Sequence, residues 1–311
     1  MGDNKNMITK APLVCFVIVN FNGITDTIEC LDSMKNLRYS NFKVILVDNG
    51  SAEEEVTKIL GHSLTTACIR NRSNEGFAKA SNKGITKALD MGADYVFLLN
   101  NDTRVTPGSL ETLISLLSEH PSIGLVQPKI LYSHSPSYVN SSGGRLYLDV
   151  GYVRDLGLNK KVSGHEMRQA GRDWISGCAM LIKREVFSKI GLLDEKNFPQ
   201  GGEDYDFSWR ARLSGYKLAC SDKSIIYHKV SRTRRTLGAS TVTEMVSLMG
   251  DPKIQLFRKH SRHFLTAELI YKTIFRPIET VEYLLHTPDS ELRYYYISRF
   301  VSSLKRKRSR L

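Results

Sequence analysis

The stretch DYVFLLNNDTRV, residues 94–105, runs five apolar or aromatic residues, Tyr95 to Leu99, straight into two amides and a carboxylate, Asn100-Asn101-Asp102. A run that short, with aromatic and β-branched members, predicts a buried strand. Its polar end has two readings. Asn and Asp favour turns and caps. In an open α/β sheet, ligands also collect beyond the carboxyl ends of the strands.

The same layout occurs three times upstream. LVCFVIVN (13–20) ends in NFNG, and a helical pattern, ITDTIECLDSMKNL, places Ile24, Ile28, Leu31 and Met34 on one side. KVILVDNGS leads into EEEVTKIL, and TTACIRN leads through SNEG into FAKASNKGITKALDMG. After residue 105 comes PGSLETLISLLSEH, with Pro107 placed for a helix start. Four rounds of strand, polar turn and helix predict a mainly parallel sheet with helices on its faces. The strand ends are rich in Asn, Asp, Gly and Ser and include Asp48 and Asp102. No GxGxxG or Walker loop follows the first strand, so a nucleotide here would lack a glycine-rich phosphate cradle. Its phosphate charge would call for a metal, with Asp102 as the carboxylate to hold it. Magnesium and manganese prefer hard oxygen ligands and take many from phosphate and water.

Residues 132–173 are polar and Gly/Ser-rich and read as a long insertion or lid. Order returns with WISGCAMLIKREVFSKIG, a strand and a short helix, and with EDYDFSWRARLSG, a helix with Glu203, Asp204 and Asp206 in its first turn. Acids there compensate the helix dipole, or they serve chemistry. The strand SIIYH ends at His228, a residue type that in such places is ordinarily packed or solvated.

The chain has 311 residues, 41% hydrophobic and 24% charged, as a globular protein of one or two domains should. Five scattered cysteines without CxxC spacing argue for a reducing compartment and against a disulfide framework or a zinc site. The start, MGDNKNMITKAPLV, lacks the layout of a secretion signal, and no apolar run approaches the roughly 20 residues that cross a bilayer. A cytoplasmic location is the expectation. From Lys229 onward there are 17 Lys and Arg against 7 Asp and Glu, so most of the formal +12 charge sits in the last quarter. That tail is a solvated terminus or a contact for an anionic membrane surface. Nucleic acid is not expected as a partner, because the strand ends are acidic or neutral rather than a basic, aromatic platform.

In order, NFNG, VDNGS, NEGFAKASN, LLNNDT, DWISGCAMLIKREVFSKIGLLDE, GGEDYDFSWR and IIYHKVSRT resemble glycosyltransferase family 2, over about residues 13–235. These are inverting enzymes of the GT-A fold, and the sequence is most similar to the rhamnosyltransferase-like branch of surface polysaccharide assembly. The resemblance implies a Rossmann-like, mainly parallel sheet in residues 1–235, followed by a basic, mainly helical extension, 236–311. It implies a dTDP- or UDP-sugar donor, dTDP-rhamnose among them, a saccharide or lipid-linked saccharide acceptor, and Mg2+ or Mn2+ as cofactor. Asp204 matches the catalytic base. Asn20, Asn22, Asp48, Asn74, Gly76, Asn82, Asn100 and Asn101 match the donor-binding loops, and Arg232 and Arg234 sit in a loop placed to meet the diphosphate. Asp102 and His228 match the metal ligands. Asn100 stands where an aspartate opens the family's Asp-x-Asp motif. Trp174, Gly177, Glu203 and Asp206 fall on the acceptor side; core packing is the other reading of Trp174, and helix capping of the two acids. The alternatives are a nucleotidyltransferase on a related α/β fold and an inactive sugar- or nucleotide-binding module.

Overall fold

The computed structural model describes residues 11–162, 170–230 and 251–286. The first half follows the repeat in order: β1 (Val14–Asn20), α1 (Ile24–Met34), β2 (Phe42–Asp48), α2 (Glu53–Leu60), β3 (Thr65–Arg70), α3 (Phe77–Asp90) and β4 (Tyr95–Leu99). Then come β5 (Thr103–Val105), α4 (Ser109–Glu119), β6 (Ile123–Tyr132), β7 (Val139–Ser141), β8 (Gly144–Tyr147), β9 (Tyr152–Asp155) and β10 (Ala170–Arg172). The remainder is β11 (Ala179–Lys183), α5 (Arg184–Ile190), α6 (Glu203–Leu213), β12 (Lys217–His228), α7 (Pro252–His260), α8 (Phe264–Ile270), a π-helical turn over 271–275, and α9 (Arg276–His286).

The main sheet runs β10-β12-β6-β11-β4-β1-β2-β3. β3, β2, β1 and β4 are parallel; β11 runs antiparallel between β4 and β6; β12 lies parallel to β6. Because successive side chains alternate across a strand, β1 feeds two cores. Phe16 and Ile18 pack with Leu31, Phe97 and Leu113 on one face, while Cys15 and Val17 pack with Ile45, Ile85 and Phe207 on the other. A sheet buried on both faces requires apolar strands without polar alternation, which is the pattern of residues 13–19.

Three features differ from the sequence reading. The strand read as SIIYH begins at Lys217. Residues 222–224 interrupt its pairing opposite Pro128, where the register jumps from Ser221 to Ile225. Proline has no N–H to offer a ladder, so a bulge there is the expected accommodation. The insertion is also more ordered than its composition implies: β8 and β9 form a hairpin. Leu146, Leu148 and Val153 from this region share a third core with Leu256, Phe257, Ala267 and Tyr271 of the C-terminal helices. At the hairpin turn Gly151 has φ +67°, and a Cβ there would lie 2.0 Å from the Ala267 carbonyl oxygen, so only glycine permits this approach. Finally, β6 was not read as a strand at all; its ten residues are buried throughout. Among the described residues no helix is long and apolar enough to cross a membrane.

Helix α3 meets the sheet most closely at Gly84, where a Cβ would lie 2.3 Å from Val17 Cγ1 and 3.1 Å from Val47 Cγ2. Gly84→Ala gains up to about 1 kcal/mol of helix propensity but meets overpacking worth about 1–3 kcal/mol. Val17 and Val47 are buried in the second core, so yielding would disturb their own packing. The substitution should lower the urea midpoint of unfolding, and an unchanged or higher midpoint would show that the two valines move aside.

Candidate active site

The sheet brings distant residues to one edge. β1 to β4, β6 and β12 all end there, and reversed β11 begins there. Neighbouring loops clasp through the backbone: Asn49 N donates to Asn20 O at 2.7 Å, Asn71 N to Asp48 O at 2.8 Å, and Asn100 N to Cys178 O at 2.8 Å.

On the β1–β3 side, the amides bind one another. Asn20 is fully buried. Its Nδ2 donates to Asp48 Oδ1 (3.2 Å) and Ser51 Oγ (3.0 Å), and its Oδ1 accepts from Thr27 Oγ1 (2.8 Å) and Asn101 Nδ2 (3.4 Å). Asp48 is buried too, its Oδ2 accepting from Ser51 N at 3.3 Å. Asn22 has φ +49°, an αL conformation that Asn tolerates; its N donates to Ser51 Oγ at 2.9 Å. Asn74 Oδ1 accepts from Asn49 Nδ2 (2.9 Å) and Gly76 N (3.0 Å). Gly76 has φ +86°, with the Pro199 carbonyl oxygen 2.7 Å from where a Cβ would sit. These side chains fix loop shape. Asn82 is not part of this group: within α3 its amide accepts from Leu193 N (3.0 Å) and donates to Leu193 O (2.9 Å) and Glu195 Oε2 (2.8 Å). It pins the 193–195 turn, so the structure gives it a scaffold role in place of the expected donor contact.

On the β4 side, Asn101 and Asp102 form a turn into β5, and β5 pairs antiparallel with the end of β12, setting Thr103 opposite His228. His228 Nε2 then lies 3.1 Å from Asp102 Oδ1, while its Nδ1 meets Asn140 Oδ1 at 2.9 Å. An amide oxygen can only accept, so Nδ1 carries a proton and Nε2 faces the carboxylate. Burial acts to lower the His228 pKa, but the Asp102 charge and the Cys178 thiol outweigh it and hold the imidazole well above its ordinary value. Among the described residues no three His, Cys, Asp or Glu side chains gather as a metal cage. One carboxylate and one imidazole with its second nitrogen fixed by an amide nevertheless suit a hard divalent ion that takes its other ligands from a diphosphate and water.

Asp204 stands in the first turn of α6, partly exposed. Its Oδ2 accepts from Gly177 N at 3.1 Å and its Oδ1 from Tyr205 N at 2.8 Å. Burial raises its pKa, and the amide hydrogen bonds offset this only in part. A Cβ on Gly177 would sit 3.3 Å from Asp204 Cβ, so glycine lets the loop close on the acid. Gly177 thus binds Asp204 while Cys178 binds Asn100, and the Cys178 thiol feels the charges of His228, Asp102 and Asp204 together. Asp102 and Asp204, a hundred residues apart, flank one dipeptide.

The other expected residues fall elsewhere. Glu203 is buried beside Gly177. Asp206 has no exposed surface: Oδ2 accepts from Arg210 Nε at 2.8 Å, and Oδ1 takes Lys259 Nζ at 2.6 Å and His260 Nε2 at 2.7 Å. It ties α6 to α7, and an acceptor contact is precluded by that burial. Trp174 is buried edge-on against the Tyr205 ring, centroids 4.7 Å apart, in the third core. It packs behind α6. Arg232 and Arg234 lie outside the described residues. The sequence reading missed Asn140, Cys178 and Asp155. Asn140 sits among Ser and Asn residues that look like turn chemistry, and nothing in its surroundings marks it. Asp155, at the end of β9, is pushed up to about 6, chiefly by burial, with Glu279, Asp204 and Glu282 adding to the rise against Lys253.

The architecture is the GT-A fold, and solved structures of that kind share it. GalNAc-T7 with UDP, GalNAc and Mn2+ superposes with TM-score 0.57 at 16% identity, covering 88% of this chain and 58% of that one. Over residues 15–191 the sequence matches the family described as Glycosyl transferase family 2, and the chain belongs to that family. The O-antigen biosynthesis protein RfbC of Myxococcus xanthus is 27% identical over 70% of this chain and 17% of its own length. The N-acetylglucosaminyl-diphospho-decaprenol L-rhamnosyltransferase of Mycobacterium tuberculosis is 24% identical over 62% of this chain and 68% of its own. The chain spans 25%, 55% and 17% of the length of the first three curated relatives it matches.

The Asp206 clamp makes a stability prediction. Burial alone would raise the Asp206 pKa; His260, Lys259 and Arg210 outweigh it and hold the carboxyl below its ordinary range. A depressed folded-state pKa contributes stability that is fully present above the unfolded value near 3.9 and is lost as pH falls through the folded value. Asp206→Ala should therefore cost about 3 kcal/mol at neutral pH, since it strands buried cations, and should blunt acid sensitivity. Urea melts at pH 7 and below pH 4 check this; a neutral-pH loss under about 0.5 kcal/mol, the range of ordinary surface substitutions, would refute it.

Proposed function

We propose that the chain transfers a sugar, with inversion, from a nucleotide-diphosphate donor to a saccharide or lipid-linked saccharide acceptor in surface polysaccharide assembly. The observation that carries this is the convergence of Asp102–His228 and Asp204 on the Gly177–Cys178 dipeptide. The names of two relatives, an O-antigen biosynthesis protein and an N-acetylglucosaminyl-diphospho-decaprenol L-rhamnosyltransferase, support the acceptor class and a rhamnosyl donor. The UDP in the solved GalNAc-T7 structure supports a nucleotide-diphosphate carrier, which the proposal takes as dTDP or UDP. The proposal assigns residues 1–235 to the transferase domain and 236–311 to a basic, mainly helical C-terminal extension.

In this mechanism Asp204 accepts the proton of the attacking acceptor hydroxyl as the new glycosidic bond forms. Inversion needs one base and no covalent sugar–enzyme intermediate. Two backbone N–H donors aim the Asp204 carboxylate, and its partly desolvated setting makes it a stronger base than an exposed aspartate. The β1–β3 loops, held rigid by Asn20, Asp48, Asn49 and Asn74, shape the nucleotide bed. Asp102 and His228 would hold Mg2+ or Mn2+, which when bound supplies Lewis-acid stabilisation of the departing diphosphate. His228 must lose its Nε2 proton to take part, so metal affinity should fall as pH drops.

Two measurements test the reading. Asp204→Asn should abolish turnover while leaving nucleotide-sugar affinity within about twofold, because the group acts only in the transition state. In the parent enzyme kcat/KM should fall as pH drops through the raised Asp204 pKa, above the ordinary carboxylate value near 3.9. Retained turnover in the asparagine variant would remove Asp204 from the role. Separately, Asn140→Ala should weaken Mn2+ binding about 10- to 100-fold in titration calorimetry with a nucleoside diphosphate present, the usual cost of losing a ligand's orienting partner. Unchanged Mn2+ affinity would place the metal away from His228.

A further inference from the structure

Helices α8 and α9, with the π-helical turn between them, present two unlike faces. The inner face packs: Ala267 and Tyr271 lie in the third core, Phe275 stacks on Tyr152 with centroids 4.4 Å apart, and Glu279 pairs with Lys253 at 2.8 Å. The outer face carries Leu265 (71% exposed), Leu269 (63%), Ile274 (49%), Ile278 (49%) and Val281 (48%). With Phe264, these are six of the eleven large hydrophobic side chains exposed among the described residues. Scattered exposed leucines need no explanation, but a contiguous apolar strip does.

The spacing shows how the strip stays continuous. Steps of four, five, four and three separate residues 265, 269, 274, 278 and 281. A step of five would rotate a side chain off an α-helical face, but here it spans the π-helical turn at 271–275. The wider turn takes in one extra residue and keeps Ile274 in line with Leu269. Lys272 and Arg276 flank the strip; Lys272 pairs inward with Glu268 at 2.5 Å and Arg276 lies 3.9 Å from Asp251, yet each cation stays close to half exposed. Residues 287–311 follow directly, with seven Lys and Arg against two Asp and Glu.

We infer that the outer face of α8 and α9 is a docking surface for an anionic lipid bilayer, with Leu265, Leu269, Ile274, Ile278 and Val281 entering the interface and Lys272 and Arg276 meeting lipid phosphates. An amphipathic helix with an apolar strip and basic borders binds by this combination of buried apolar area and attraction to anionic lipid. Charge selects the bilayer over a second copy of the chain: pairing two strips would bring two basic borders and two tails of like sign together. The inference deepens the proposed function and rests on it for its purpose. Glu279, on the inner face, lies near Asp155, which feels the Asp204 charge. Docking would therefore bring the lipid surface, where a lipid-linked acceptor resides, to the side of the molecule that carries Glu279 and Asp155.

Sedimentation with phosphatidylcholine vesicles, with and without phosphatidylglycerol, tests the surface without requiring turnover, so its failure leaves the transferase reading standing. The full chain should sediment with the anionic vesicles. The combined variant Leu265→Ser, Leu269→Ser and Ile278→Ser should partition at least about tenfold more weakly with an unchanged melting temperature and nucleoside-diphosphate affinity. A full chain that stays in the supernatant, or a variant that sediments equally, overturns the inference. A variant that melts lower assigns the strip to interior packing, and one that turns a dimer into a monomer in gel filtration assigns it to a second copy; either result also overturns it.

Discussion

One dipeptide, Gly177-Cys178, joins the two halves of the site. Its Gly177 N–H binds Asp204 and its Cys178 carbonyl binds the backbone of Asn100. The geometry follows from a single reversal in the sheet. β11 runs against β4 and β6, so its amino end arrives where its neighbours' carboxyl ends leave. A parallel β11 would deliver Lys183 to that edge and leave Asp204 without its amide donor. Asp204, the Asp102–His228 pair and the β1–β3 loops thereby meet at one edge of the sheet, although the sequence separates them by more than a hundred residues.

Rigidity around the β1–β3 loops and charge around Asp102 and His228 arise by different means. Asn20, Asp48, Asn49 and Asn74 bind one another and the backbone, so their loops are fixed by neutral amide hydrogen bonds together with one carboxylate. Buried polar groups satisfied in this way specify a unique arrangement. At Asp102 and His228 the buried pair is charged, and its proton is the group a divalent ion would displace. The C-terminal helices join through a third device, the Asp206 carboxylate shared by Arg210, Lys259 and His260, which fastens α7 to the helix that carries Asp204.

Much of this was legible before the structure. The strand–helix repeat through residue 120 follows from apolar runs closed by Asn, Asp and Gly, and all seven elements from β1 to β4 occur where those runs lie. Asp102, His228, Gly177 and Asp204 were each singled out, and the sheet places them along one edge. Other roles depend on partners that sequence spacing cannot reveal. Asp206 looked like a cleft acid until Lys259 and His260, fifty residues on, closed over it. Asn82 stands on a helix whose other neighbours face the core, and only the 193–195 turn explains its amide. Asn140 resembles any turn residue until His228 arrives beside it, and Pro128 concealed β6 and divided β12 because a bulge on the partner strand is not encoded near the proline.

The convergence of Asp102, His228 and Asp204 around a bound donor is tested most directly by crystallography of the full chain with Mn2+ and a nucleoside diphosphate, using manganese anomalous scattering. The account predicts one anomalous peak between Asp102 and His228, bridged to the diphosphate, with Asp204 facing it across a gap that a single sugar fills. A peak at any other place, or a diphosphate bound away from the Gly177–Cys178 edge, would contradict it.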